Sequence, residues 1–239
     1  MDPVYIRTHV EEDRSHWWFR GRLAVLLATL RHALPPRPLR LLEFGCGTGN
    51  VLAALREFGD VVGIESHAEL GAIARSAGLD VRAGSLPHDV ALEPGSADVV
   101  LLLDVLEHLD DEVAALATAR AALRPGGLLM ITVPAYAWLW SAHDVALGHR
   151  RRYTAATLRG VVERASFEVL RISYFGTLLL PALVAVRLTK RALGDERHDL
   201  HRPSPPLNRT LQSVFAFERH LVPRFDLPFG SSLLALARA

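Results

Sequence analysis

Three glycines at two-residue spacing follow a short apolar run and precede a helical pattern. The stretch runs from Leu39 to Asn50 with the sequence LRLLEFGCGTGN. Glycine adopts positive φ angles without steric cost and lets a ligand approach the backbone closely. A buried strand, a glycine turn and a helix start together predict a nucleotide-type binding site, with Thr48 or Asn50 as the helix cap.

The residues around the glycines indicate which nucleotide derivative the turn binds. Dinucleotide sites require G-x-G-x-x-G, and here Asn50 stands where the third glycine belongs. Glu43 precedes the first glycine, and a carboxylate repels a pyrophosphate but suits a cationic ligand with an α-amino group. The pattern Glu43-x-Gly45-x-Gly47-x-Gly49 resembles the first motif of class I S-adenosylmethionine-dependent methyltransferases.

An acidic residue ends the second predicted strand, which runs from Asp60 to Glu65. Glu65 follows Gly45 by 20 positions. In nucleoside-binding α/β folds an acid at this place accepts hydrogen bonds from ribose hydroxyls. This feature fits nicotinamide and adenosylmethionine cofactors equally. Ser66 is predicted to cap the next helix.

The third and fourth predicted strands end in further polar residues. The third strand, 79–83, precedes Gly84, Ser85 and Leu86. In the resembled family a polar residue here contacts the adenine amino group and an apolar neighbour packs on the ring. Ser85 replaces the usual acid. The fourth strand, 97–103, is continuously apolar, as in the middle of a parallel sheet, and Asp-x-Leu-Glu-His follows it over 104–108.

The sequence Leu-Arg-Pro-Gly-Gly over 123–127 precedes a fifth strand over 128–134 and is frequent in the same methyltransferase class. The resemblance implies an α/β fold with a doubly wound, Rossmann-like sheet of seven strands, the last one antiparallel between strands five and six. It implies S-adenosyl-L-methionine as cofactor and S-adenosyl-L-homocysteine as product. The implied cofactor-binding residues are Glu43, Gly45, Cys46, Gly47, Thr48, Gly49, Glu65, Ser66, Gly84, Ser85, Leu86, Asp104, Val105 and His108.

The segment after strand five combines aromatic and titratable side chains. We predict an apolar wall for the methyl acceptor from Tyr136, Trp138, Trp140 and Tyr153. His143 or His149 is the candidate base, and Asp144 is the orienting residue or a second candidate. One alternative is a basic, surface-exposed loop that caps the next helix through Thr154. The spacing of the three titratable residues matches no standard metal site, so no metal is expected.

The N-terminal sequence predicts a helix from Ser15 to Leu34 that begins with aromatic and basic residues. One interpretation is a lid, with Trp18 or Phe19 covering the cofactor and Arg20 or Arg22 meeting a carboxylate. Similar helices open many small-molecule methyltransferases. The alternative is a helix that packs its aromatic edge on the sheet.

Residues 174–228 form a predicted insertion that is long for an ordinary connection. Its first part, 174–187, is apolar and then becomes basic at Arg187, Lys190 and Arg191. This pattern is typical of a helical cap, a dimer contact or an interfacial anchor that lies on a membrane surface through residues 174–192. We also predict a mobile stretch over 194–206 and a further helix from Leu207 to Leu221.

Composition limits the class of protein. The net charge of +1 gives no basic footprint for nucleic acid, and one cysteine among 239 residues allows no intrachain disulfide. No apolar run reaches the ~18 residues of a spanning helix, and acidic residues precede any apolar run, so no signal sequence is expected. We expect a cytoplasmic protein, peripheral at most to the inner face of the membrane.

We predict one methyltransferase domain over 1–239, divided into a helical lid (1–38), a cofactor-binding core (39–173), the insertion (174–228) and a final strand (229–239). The predicted reaction is methylation, as O-methylation, of a small-molecule or lipid-linked acceptor. The alternatives are a non-catalytic cofactor-binding or membrane-associated protein and a nicotinamide-dependent oxidoreductase.

Overall fold

A seven-stranded sheet is the central element of the fold. The computed structural model describes residues 10–194 and 203–239, apart from the side chain of Arg191. The strands are β1 Leu39–Phe44, β2 Gly59–Glu65, β3 Val81–Ala83, β4 Ala97–Leu103, β5 Leu123–Pro134, β6 Glu168–Phe175 and β7 Ser232–Arg238. Their order in the sheet is β3-β2-β1-β4-β5-β7-β6. The predicted Rossmann-like methyltransferase topology is confirmed.

Helices connect these strands. They are α1 Trp17–Ala33, α2 Asn50–Leu55, α3 Ala68–Ser76, α4 Glu112–Ala122, α5 Ala142–Leu147, α6 Ala155–Arg164, α7 Leu180–Leu193 and α8 Pro205–Phe217. Thr154 caps α6, because its side chain accepts a hydrogen bond from the Thr157 backbone N–H, as the sequence predicts. In the part of the chain that the structure describes, no helix is long and apolar enough to cross a membrane.

The strand pairings place the ends of β1, β2 and β4 at one edge of the sheet. β1 pairs in parallel with β2 and β4, β2 pairs in parallel with β3, and β4 pairs in parallel with β5. β7 runs antiparallel to β5, since Ala135 donates to the Ser231 carbonyl while Ala239 donates to the Gly127 carbonyl at the other end. Parallel strands buried on both faces explain the continuous apolar sequence of β4.

Two predicted boundaries are wrong by four residues or more. β5 begins at Leu123, whereas the sequence places its start at Leu128 after a break. Gly126 has a φ of +76°, and the register with β4 shifts between Ala97 and Val99, so the glycines are absorbed as an irregularity inside the strand. The last long helix ends at Phe217 and is followed by a 3-10 turn over Glu218–His220. Residues 195–202 of the predicted mobile stretch lie outside the described residues.

The chain divides into two compact units. We name them by their content. The sheet unit comprises residues 35–133, 154–172 and 233–239, and the helical unit comprises residues 1–34, 134–153 and 173–232. The helical unit therefore joins the N-terminal helix, the segment after β5 and the insertion, which are far apart in sequence.

In the helical unit, α1 packs against α8. The Trp17 backbone N–H donates to Asn208 Oδ1 at 2.9 Å, and Asn208 Nδ2 donates to the Ser15 carbonyl at 3.0 Å. A Cβ atom at Gly21 would lie 2.6 Å from Phe215 Cδ1, so glycine permits this close approach. The insertion thus covers the helix that the sequence analysis interprets as a lid.

Candidate functional site: the glycine turn and the segment after β5

The glycine turn of the sheet unit adopts backbone angles that favour glycine. Gly45, Gly47 and Gly49 have φ angles of +66°, +55° and +81°. A Cβ at Gly49 would lie 2.3 Å from Leu79 Cδ1, whereas a Cβ at Gly47 would have no atom within 4 Å. Gly49 therefore serves packing, while Gly47 leaves open space beside its backbone in which a ligand can lie.

The helix after the turn starts differently from the prediction. Gly49 is the N-cap of α2, and no side chain caps the helix, so the expected cap from Thr48 or Asn50 is wrong. The left-handed backbone of Gly49 redirects the chain without a capping hydroxyl. Thr48 itself is buried. A second expected cap is also wrong: His67, not Ser66, is the N-cap of α3, and its side chain makes no capping hydrogen bond.

Glu65 ties the end of β2 to the turn. Its Oε2 accepts a hydrogen bond from the Gly47 backbone N–H at 2.7 Å, and its Oε1 accepts from the His67 backbone N–H at 2.7 Å. The carboxylate is buried. Carboxylate oxygens have further lone pairs, so Glu65 can hold the turn and still accept hydrogen bonds from ribose hydroxyls.

The pKa of Cys46 reflects the electrostatic environment of the turn. Burial raises the pKa of its thiol, and the negative charges of Glu43 and Glu65 raise this pKa further. Glu43 is itself buried. Two carboxylates disfavour a thiolate for the same reason that they favour a cation. The turn therefore suits a ligand that carries a sulfonium and an α-ammonium group.

The segment after β3 forms a tight bend. Ser85 and Asp89 exchange two backbone hydrogen bonds, with lengths of 2.8 and 2.9 Å. Leu86 is buried, whereas Ser85 is exposed. A Cβ at Gly84 would lie 2.9 Å from the Asp89 carbonyl oxygen, so glycine is required for this bend to close. These residues follow β3 at the sheet edge, where the resemblance places adenine recognition.

Asp104 ends β4 in a left-handed conformation, with a φ of +59°. Its backbone N–H donates to the Thr132 carbonyl at 2.9 Å, and its Oδ1 accepts from Thr132 Oγ1 at 3.2 Å. The next residue, Val105, approaches the glycine turn, because a Cβ at Gly45 would lie 2.8 Å from Val105 Cγ2. His108 follows in a 3-10 turn and is half-buried. The ends of β1 and β4 therefore meet, as the motif spacing predicts.

In the helical unit, the segment after β5 is built around the carboxylate of Asp144. This side chain has no exposed surface. Its Oδ1 lies 2.8 Å from His149 Nδ1 and accepts from Arg152 Nε at 2.7 Å, while its Oδ2 accepts from the Ser141 backbone N–H at 2.9 Å. Burial favours a raised pKa for Asp144, but the hydrogen bonds from His149 and Arg152 outweigh it and hold this pKa well below its usual range.

Asp144, His149 and Arg152 form one cluster, which we call the aspartate cluster. Sequence reasoning grouped Asp144 with His149 but placed no role on Arg152, whose side chain is only 5% exposed. Arg152 also donates to the Ala135 carbonyl at 3.0 Å. The alternative of a surface-exposed basic loop is therefore wrong for Arg152. His143 lies on α5 and is half-buried.

The helical unit that contains the aspartate cluster also contains a stack of aromatic rings. Tyr136 stacks on Trp138 with a centroid distance of 5.5 Å and on Tyr174 with a centroid distance of 5.2 Å. Tyr174 lies at the start of the predicted insertion, and the sequence analysis gave it no role at this site. The two tyrosines are 38 positions apart, so no local pattern indicates their contact. Tyr153 is buried and exchanges backbone hydrogen bonds with Pro134 and Tyr136.

Trp140 and three residues of α1, Trp18, Phe19 and Arg22, are the other side chains that we predict to contact the cofactor or the acceptor. Trp140 is half-buried. On α1, Arg22 is 6% exposed and its guanidinium carbon lies 5.4 Å from the centroid of the Trp18 ring. Phe19 contacts Trp18 edge to face at 5.1 Å. Arg22 is thus held by a cation–π contact within its own helix, a contact that helical spacing of i and i+4 makes available.

Comparison with known proteins identifies the family. Residues 16–172 match the methyltransferase domain family. The chain is 32% identical over 160 residues to a protein of Mycolicibacterium smegmatis that is named a probable S-adenosylmethionine-dependent methyltransferase, a match covering 65% of this chain and 61% of that one. It is 35% identical over 109 residues to a ubiquinone biosynthesis O-methyltransferase of Xanthomonas campestris, covering 43% of this chain and 45% of that one.

The fold agrees with this match. An S-adenosylmethionine-dependent methyltransferase from Mesorhizobium loti superposes with a TM-score of 0.59 at 19% identity, covering 90% of this chain and 98% of that one. The chain belongs to the methyltransferase domain family, and its matched regions span about half to three fifths of the curated relatives' length. S-Adenosyl-L-methionine is its cofactor, and the open backbone at Gly47, which donates to the buried carboxylate of Glu65, fits that cation.

Proposed function

We propose that the chain transfers the sulfonium methyl group of S-adenosylmethionine to a hydroxyl of a small-molecule or lipid-linked acceptor. The observation that carries the proposal is the glycine turn with open space at Gly47 and the buried carboxylates of Glu43 and Glu65, whose negative charges favour a cationic cofactor. The bound cofactor supplies an electrophilic methyl group. The chain supplies binding, orientation and removal of a proton from the acceptor.

In the sheet unit, the proposed roles follow the geometry of the turn. Glu65 receives the ribose hydroxyls while it holds Gly47 in place at 2.7 Å. Glu43 meets the α-ammonium group of the cofactor. Ser85 and Leu86 receive the adenine, and Asp104, Val105 and His108 complete the cofactor-binding set. Fixed charges and backbone groups need no rearrangement when the cofactor binds, which favours affinity.

In the helical unit, we assign the role of base to His149. Its Nδ1 lies 2.8 Å from Asp144 Oδ1, so the tautomer with a proton on Nδ1 is stabilised and Nε2 is the nitrogen that can accept the proton of a hydroxyl. Asp144 is the orienting residue and Arg152 keeps it ionised. His143, on α5 of the same segment, is the other candidate base and serves as the comparison variant.

The acceptor is proposed from the aromatic side chains and from the insertion. Stacked rings of Tyr136, Trp138 and Tyr174 favour an acceptor with apolar or planar groups. Leu178, Val186 and Leu188 are each at least 44% exposed in and before α7, which supports the proposed peripheral membrane contact through 174–192. One similar protein is named for ubiquinone biosynthesis, which agrees with a lipid-linked hydroxyl acceptor.

The first test is calorimetric titration of the purified chain with S-adenosylhomocysteine, NAD and NADP in parallel. We expect micromolar binding of S-adenosylhomocysteine alone, and loss of that binding in Glu65→Ala and Gly47→Val. Binding of a dinucleotide would contradict the proposal and favour an oxidoreductase. Absence of all binding would favour a non-catalytic protein that has kept the fold.

The second test separates a base from a structural residue. His149→Asn keeps a donor toward Asp144 but removes the basic nitrogen, so with a hydroxyl acceptor kcat should fall by about 10²–10⁴-fold with unchanged melting temperature and cofactor affinity. His143→Asn should leave kcat within a few-fold. Equal kcat values for both variants would contradict the assignment of His149.

A further inference from the structure

A short segment of the helical unit exposes three phenylalanine side chains. Phe217 is 55%, Phe225 59% and Phe229 47% exposed. Aromatic side chains of this size are normally buried, and several exposed within 13 residues mark a surface that contacts something else. We call residues 217–229 the phenylalanine segment. The cofactor and aspartate-cluster roles proposed above involve none of these side chains.

The backbone of the phenylalanine segment forms hydrogen bonds within the segment and with the residues that precede α7. The backbone N–H groups of Arg224 and Phe225 donate to the Leu221 carbonyl at 2.9 Å each. Tyr174 donates its backbone N–H to the Leu227 carbonyl at 3.2 Å, and Thr177 Oγ1 donates to the Phe229 carbonyl. The segment thus has many of its polar backbone groups satisfied internally, which an apolar environment requires.

Glu218 anchors the base of the segment. Its carboxylate has no exposed surface and accepts hydrogen bonds from the backbone N–H groups of Gly176 at 2.7 Å and Leu178 at 2.8 Å. The Leu178 side chain is itself 44% exposed. A fourth apolar side chain therefore lies next to the anchor, and the phenylalanines can be presented with little loss of conformational entropy on binding.

Basic side chains lie between Phe217 and Phe225 in the same segment. Arg219 and Arg224 are exposed, and both contact His220: Arg219 Nε lies 3.2 Å from His220 Nε2, and Arg224 Nη1 donates to the His220 carbonyl at 3.3 Å. The His220 ring lies 5.8 Å from the Phe217 ring. Each guanidinium has five N–H donors, so donors remain for an external anion. Asp226 is the exposed acid of this segment, and Glu218 is buried.

We propose that the phenylalanine segment is the lipid-contacting element of this protein, with Phe217, Phe225 and Phe229 entering the headgroup region of an anionic bilayer while Arg219 and Arg224 bind lipid phosphates. Aromatic and cationic side chains exposed on one segment match the two layers of such a surface, in which acyl chains lie below phosphates. The inference deepens the proposed peripheral contact, adding an element outside 174–192.

The test is co-sedimentation of the 239-residue chain with phosphatidylglycerol vesicles and with phosphatidylcholine vesicles, without cofactor or acceptor. We expect binding to the anionic vesicles that is weakened by salt. Phe225→Ala with Phe229→Ala should weaken it by about tenfold or more per residue. Arg219→Gln with Arg224→Gln should weaken it by about fivefold per residue and reduce the salt dependence.

The matched control is Val145→Ala, which changes an apolar side chain that is 68% exposed on α5 of the same unit. This variant should bind vesicles like the unchanged chain. Absence of vesicle binding by the unchanged chain, or equal binding by the double phenylalanine variant, overturns the inference. A molar mass in solution that falls on Phe225→Ala and Phe229→Ala, with vesicle binding unaffected, would instead assign the surface to a second copy. Because neither cofactor nor acceptor is present, the result does not depend on the proposed methyl transfer.

Discussion

The glycine turn and the aspartate cluster position functional groups by opposite means. In the turn, three residues with positive φ shape the backbone, and a carboxylate binds two backbone N–H groups. In the aspartate cluster, a side chain positions the groups, because the buried carboxylate of Asp144 forms hydrogen bonds with Ser141, His149 and Arg152. A backbone site tolerates side-chain changes that point to solvent, whereas a buried charge cluster depends on every partner.

The largest effect is expected at the aspartate cluster. Asp144→Asn leaves the Arg152 guanidinium buried without a counter-charge, which should lower the free energy of unfolding by about 3–5 kcal/mol. Chemical denaturation at pH 7 measures this change. The double variant Asp144→Asn with Arg152→Met should recover part of the loss, because both charges are removed. A double variant that is no more stable than Asp144→Asn would contradict the expected recovery.

The turn offers a matched pair of glycines. Both Gly47→Ala and Gly49→Ala place a side chain in a left-handed conformation, which costs each about 1–2 kcal/mol. Only at Gly49 would the new Cβ meet Leu79 and Ala74, so this variant should lose about 1–3 kcal/mol more. Gly47→Ala should instead weaken S-adenosylhomocysteine by tenfold or more. Thermal unfolding measures the stability of the two variants, and calorimetry measures their affinity for S-adenosylhomocysteine. A Gly49→Ala variant as stable as Gly47→Ala would contradict the prediction.

Two buried carboxylates of the helical unit should show opposite pH dependence. Burial raises the pKa of Glu218 despite hydrogen bonds from backbone N–H groups, whereas Arg152 and His149 hold the pKa of Asp144 low against the same burial. Asp144 therefore stabilises the fold above its unfolded pKa of about 3.9, and this stabilisation is lost as the pH falls. The ionised Glu218 costs stability above its raised pKa, and the cost disappears as the pH falls below about 4.3.

Chemical denaturation of Asp144→Asn and Glu218→Gln between pH 3 and pH 8, with the unchanged chain as reference, measures how the stability contribution of each carboxyl group changes with pH. The stability advantage of the unchanged chain over Asp144→Asn should grow with rising pH and then level off. Its advantage over Glu218→Gln should instead shrink as the pH rises. Two curves of the same sign would contradict the assigned pKa directions.

The smallest effect is expected at the stacked tyrosines. Burial raises the pKa of Tyr136 to about 12, and its hydrogen bond with the Tyr174 hydroxyl adds to this rise. Tyr136→Phe removes the hydrogen bond and should cost about 0.5–1.5 kcal/mol. Ultraviolet titration should show a tyrosine transition near pH 12 that Tyr136→Phe abolishes while Tyr153→Phe retains it. A spectrum unchanged by Tyr136→Phe would exclude this hydrogen bond.

The two regions also differed in how well the sequence predicted them. Strand β4 has its predicted bounds, and Glu65 lies at the predicted end of β2 beside Gly47. The expected caps of α2 and α3 were wrong, since their N-caps are Gly49 and His67 and neither helix has a capping side chain. In the segment after β5, the structure brings Asp144 into contact with His149 and also with Arg152, to which the sequence analysis gave no role.

The sequence by itself determined the order of strands and helices, the glycine turn, and the acids beside it. These features are local, because φ preference, apolar runs and strand-end acids depend on residues within about ten positions of one another. Only the tertiary structure decided that Tyr174 stacks on Tyr136, that Phe215 packs on Gly21, and that Glu218 binds the residues before α7. Each of these contacts joins residues that are far apart in the sequence. Because the hydrophobic effect is not directional, the sequence does not indicate which apolar residues will pack together, and the fold must bring them into contact.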